Sequence, residues 1–96
     1  MIVAEFEYEK HYSEVHDELV EFLKQEFLSI EHGLQGDSWI WITENNDKVA
    51  IDTFSSMNHQ IKTSNNKSTL AIKIIDRIST KYKLRIYDIP ELESHE

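Results

Sequence analysis

Residues 38–54, SWIWITENNDKVAIDTF, decide the fold. Two strand-like runs, Ser38 to Thr43 and Lys48 to Phe54, flank Asn45-Asn46, a pair that tolerates the positive φ angles of a tight hairpin turn. A two-residue loop sets Ile42 against Val49 and Ile40 against Ile51 on one side. Trp41 then faces Ala50 and Trp39 faces Asp52 on the other, with Phe54 nearby. A three-residue loop would shift part of this pairing and turn the indoles inward, because side chains alternate with a period of two. The hairpin is therefore expected to show the core an aliphatic side and to carry both tryptophans on its back.

On the N-terminal side, Ile2, Ala4, Phe6 and Tyr8 alternate with Val3, Glu5, Glu7 and Glu9, which predicts a half-buried strand. Ser13 is a candidate helix cap, and Val15, Leu19, Phe22, Leu23, Phe27 and Ile30 recur at spacings of three and four. That stripe predicts a helix over about 13–31, with Gly33 as its stop. On the C-terminal side, Ser55 to Lys67 is polar and reads as a loop with room for a short strand around His59 to Thr63. Leu70, Ala71, Ile74, Ile75, Ile78 and Tyr82 fit a helical stripe better than a strand, so 69–80 is predicted helical. Leu84 to Ile89 reads as a last strand ended by Pro90.

The order strand, helix, hairpin, helix, strand predicts a single α+β domain over 1–90. Its expected architecture is ferredoxin-like, β-α-β-β-α-β: a four-stranded antiparallel sheet with two helices on one face. Residues 91–96 read as an acidic flexible tail. That architecture hosts many unrelated functions, so function has to come from particular residues.

The composition narrows the classes. The 96 residues hold 18 acidic and 10 basic side chains, a net charge of −8, and no cysteine. Thiolate metal sites, disulfide scaffolds and a cysteine nucleophile are excluded. The start of the chain lacks the basic-then-apolar pattern of a secretory signal, and no apolar run is long enough to span a bilayer, so a cytoplasmic location without membrane contact is expected. The two glycines, Gly33 and Gly36, rule out a glycine-rich phosphate loop. The five histidines show no metal-ligand spacing, and no cofactor or metal is expected. His59, in the polar loop, is the one candidate general base. It has no partner group in the sequence around it and reads as solvated, so no catalytic residue is assigned and the chain is not expected to be an enzyme.

The charge is segregated. Residues 1–31 carry nine acids against two bases, while residues 67–88 carry six bases against two acids. Glu14, Glu18 and Glu21, with Asp17 beside them, form an acidic stripe on the first helix. Lys73, Arg77 and Lys81 line one side of the second, so the two stripes either face solvent or partly neutralise each other. An aromatic open sheet face (Trp39, Trp41, Phe54 and Tyr87, with Arg85) is also one way to stack RNA bases. Glu5, Glu7 and Asp52 point the same way, and −8 repels phosphate, so nucleic acid is not expected as a partner.

The expected function is that of a small acidic protein-binding domain. Glu14, Asp17, Glu18 and Glu21 would steer a basic partner, and Trp39, Trp41, Phe54 and Tyr87 would make the contact. By size and charge alone, the chain is compatible with inhibitors of the bacterial immunity-protein and antitoxin kind. Two alternatives are a homodimer or larger assembly through the aromatic face, and a small-ligand site or enzyme built on the 55–67 loop.

Overall fold

In the computed structural model, which describes residues 1–65 and 67–93, the central hairpin forms as its sequence predicts. Asp37–Glu44 (β3) and Asp47–Asp52 (β4) pair antiparallel, with Trp39 opposite Asp52, Ile40 opposite Ile51, Trp41 opposite Ala50 and Ile42 opposite Val49. Asn45 and Asn46 take φ angles of 51° and 65°, the left-handed pair a two-residue turn requires.

The sheet around this hairpin is larger than expected. It has six strands in the order β2-β3-β4-β5-β1-β6, all neighbours antiparallel, with β1 Ile2–Phe6, β2 Ile30–Gln35, β5 Gln60–Thr63 and β6 Leu84–Glu91. The four-stranded ferredoxin-like arrangement is thus overturned. The added strands come from two places. One is the 59–63 segment, whose strand character was visible. The other is 30–35, where the helical stripe misleads: α1 covers only Tyr12–Lys24, and Phe27 and Ile30 continue its spacing by coincidence. Phe27 is buried from the turn that follows, its N–H bonded to the Leu23 carbonyl, and Ile30 pairs with Ile42 inside the sheet. Gly33 is no helix stop. It sits mid-strand opposite Trp39.

Local capping explains the helix ends. His11, not Ser13, caps α1: its Nδ1 accepts from the Ser13 N–H at 3.2 Å, and Glu14 accepts from the His11 N–H at 3.2 Å. α2 spans Thr69–Ile78, within the predicted 69–80, and the Ser68 hydroxyl accepts from the Ala71 N–H at 3.0 Å. β6 runs through Pro90 to Glu91, because an edge strand has no outer neighbour to miss the absent N–H. The expected tail therefore begins inside β6, and residues 94–96 lie outside the described part.

Both helices pack on the same side of the sheet, α1 over β2 and β3, α2 over β4 and β5. Val15, Leu19, Val20 and Leu23 of α1, and Leu70, Ala71, Ile74 and Ile78 of α2, meet Ala4, Phe6, Ile40, Ile42, Val49, Ile51 and Ile61 in one core. The sheet's other face has no helix of its own.

Candidate functional site

Alternation along β3 sends Ser38, Ile40 and Ile42 to the helix side and Trp39 and Trp41 to the bare side, where both stay half-buried. The two indoles meet at an interplanar angle of 43° with ring centroids 4.6 Å apart, and the Lys48 ammonium sits 3.8 Å from the Trp41 ring centre. Gly33 is the seat for Trp39: a Cβ placed there would stand 2.6 Å from three atoms of the indole. The glycine in β2 thus lets the ring approach the backbone of the neighbouring strand closely.

Beside the indoles the bare face hollows into a groove of about 760 Å³ between β4, β5 and the segment after β6. Ala50, Phe54 and Leu92 give it apolar walls. Its polar centre is Lys62, only 6 % exposed, whose ammonium lies 2.5 Å from Asp52 Oδ1 and 2.5 Å from Glu93 Oε2. Ser55 Oγ donates to the same Glu93 oxygen at 2.8 Å. Burial raises the Asp52 carboxyl above its usual range, while the Lys62 ammonium pulls it back. Phe54 is 51 % exposed, with the Lys62 ammonium 5.6 Å from its ring centre.

Tyr87 does not join this cluster. It lies on edge strand β6, four strand spacings from β3, roughly 19 Å away across the sheet. There its hydroxyl donates to Glu5 Oε1 at 3.3 Å, and Arg85 packs 4.7 Å from its ring centre. The acidic stripe is further separated. Glu14, Asp17, Glu18 and Glu21 are exposed on α1, on the opposite side of the sheet from the tryptophans. Glu14 serves the helix cap, and Glu18 accepts from the Tyr82 hydroxyl at 2.7 Å, which holds its carboxyl below the usual range. The basic stripe of α2 is partly neutralised, by Glu44 at 3.3 Å from Lys73 and by Glu26 at 3.5 Å from Arg77. Exposed pairs of this kind contribute about 0–1 kcal/mol each.

A second polar assembly lies under the helices. Ser38 Oγ is 2.7 Å from His59 Nε2 and 2.6 Å from His16 Nδ1. Tyr8 Oη is 2.6 Å from His59 Nδ1 and accepts from the His59 backbone N–H at 3.0 Å, while His16 Nε2 is 3.3 Å from His32 Nδ1. With both buried imidazoles neutral, one direction of donation satisfies every link: Tyr8 to His59, His59 to Ser38, Ser38 to His16, His16 to His32. Burial holds His59 down to about 4, with His16 adding to the shift. It also lowers His16, helped by His32 and opposed by Asp17. The Tyr8 hydroxyl is pushed up to about 12, by burial first.

His59 is therefore not the solvated loop base the sequence suggests. It and Ser38 are 0 % exposed, so no substrate reaches the serine–histidine contact, and the assembly serves as a buried strut. Part of it has a sequence signal: His16 lies three residues before Leu19 and seven before Leu23, on the apolar stripe. Lys62 has the same kind of signal, a polar residue beside Ile61 in a short strand. The meeting of residues 8, 16, 38 and 59 has none.

Among the described residues, no group of three or more His, Asp or Glu side chains is placed to hold a metal ion, and no helix is long and apolar enough to cross a membrane. Compared with protein-family models, curated proteins and solved structures, the chain matches none.

Proposed function

We propose that the chain is a protein-binding domain that presents the bare face of its sheet to a partner of net positive charge. The observation that carries this reading is the Trp39–Trp41 pair on a sheet face that neither helix covers. Clustered aromatics with a charged rim are the usual make-up of a contact core. The acidic helix lies on the other side and is no part of this contact. Its role is long-range, through the field of a chain carrying −8. The same field opposes docking of two copies face to face, which favours a different protein over a homodimer.

The test is affinity capture from native extract with the wild-type chain and with Trp39→Ser/Trp41→Ser. The expected result is a basic protein recovered by the former and reduced at least tenfold on the latter, matching the loss of a hot-spot pair worth about 2 kcal/mol or more. Equal recovery on both would overturn the reading, as would light scattering that shows a stable dimer built on the same rings.

A further inference from the structure

The groove beside the indoles holds one of the chain's own carboxylates in a built site. Lys62 is more than nine-tenths buried, and its ammonium and the Ser55 hydroxyl converge on a single oxygen of Glu93. Asp52 already supplies one negative charge to that lysine, so Glu93 brings a second carboxylate to a cation that has a partner. With the Glu93 carboxylate withdrawn, the charged side chains among the described residues lining the groove are Lys48, Lys62 and Asp52, which leaves a positive spot on a strongly negative molecule. The walls next to it are apolar, and the volume falls in the range of small-molecule sites.

We propose that this groove binds a small monocarboxylate with an apolar body, its carboxylate replacing that of Glu93 on Lys62 and Ser55 while its apolar part lies along Ala50, Phe54 and Leu92. Glu93 is then a tethered competitor, present at the high effective concentration of an intramolecular group. The proposal is independent of the partner reading, because it needs neither Trp39 nor a protein.

The probe is decanoate, titrated by calorimetry and by the fluorescence of Trp41, with decanol as the uncharged control. Glu93→Gln is expected to bind decanoate about tenfold more tightly than wild type, through loss of the competitor, with no comparable gain for decanol. Lys62→Gln is expected to lose the preference for the acid. Since that change exposes the fold to an unpaired Asp52, Ser55→Ala in the Glu93→Gln background gives a second arm: Ser55 is exposed, and its loss should weaken decanoate several-fold at unchanged melting temperature. Equal decanoate affinity for wild type and Glu93→Gln would overturn the proposal, and so would an equal gain for decanol. A leucine-ending hexapeptide with a free carboxyl terminus, set against its amide, separates the sources. Binding of that peptide without decanoate would also overturn the small-molecule assignment, and would move the carboxylate onto a protein.

Discussion

The two faces of the sheet are built from the same strands and solve opposite problems. On the covered face, the buried side-chain polar atoms of the described residues have partners: Ser38 is held between two imidazoles, and Tyr8 closes the far end. On the bare face, two indoles pack together in half-buried positions and a buried lysine borrows a carboxylate from beyond the last strand. The difference shows where stability and contact capacity reside. Polar atoms under the helices have no water to fall back on, so each broken link costs its desolvation. The half-buried rings of the bare face keep access to solvent and can change partners at small cost to the fold, whereas its buried Lys62–Asp52 pair cannot.

Three substitutions probe this contrast. Ser38→Ala is expected to cost most. It removes the hydroxyl that serves both His59 and His16, and two buried ring nitrogens lose their partner, for a destabilisation of about 4 kcal/mol by urea unfolding. A loss under about 1 kcal/mol would show that the strut is dispensable and that the contrast between faces is wrong.

The second is a pH effect. His59 has its folded pKa held at about 4, below the ordinary 6.5, so between these values the unfolded chain binds more protons. Its contribution is complete above pH 6.5 and is lost as pH falls toward 4, for roughly 3 kcal/mol at most, with His16 acting in the same direction. His59→Gln should therefore flatten the stability profile between pH 6.5 and 4 relative to wild type. Parallel profiles for the two chains would mean that His59 is hydrated in the folded state.

The smallest effect belongs to the bare face. Gly33→Ala pushes a methyl group into the Trp39 indole, and the ring should swing off β2. The expected sign is a change in near-ultraviolet circular dichroism from the broken Trp39–Trp41 contact, with a stability loss of only about 1 kcal/mol. A loss as large as that of Ser38→Ala would place the indoles in the load of the fold and weaken their reading as a contact surface.

Much of this was legible in the residues. The register of the β3–β4 hairpin followed from alternation and from Asn45-Asn46, and it put both tryptophans on the helix-free side. The second helix also lies where its stripe put it. The apolar stripe overstates the first helix because Phe27 and Ile30 keep a helical spacing after the helix has ended, and the same spacing conceals β2 and the seat of Trp39 on Gly33. Phe54 falls beside the expected aromatic cluster, whereas Tyr87 falls at the far edge, since β5 and β1 insert between the hairpin and β6.

By itself the sequence determined what depends on neighbours along the chain: the turn at Asn45-Asn46, the alternation of Ile and Trp on β3, the amphipathic α2 and the surplus of acid. Only the tertiary structure decided what depends on distant segments coming together. That includes the insertion of β1 between β5 and β6, the junction of Tyr8, His16, Ser38 and His59, and the Lys62 site shared by Asp52 and Glu93. The physical reason is that local backbone preferences are short-ranged, while burial rewards any residues that exclude water together, whatever their separation in the chain.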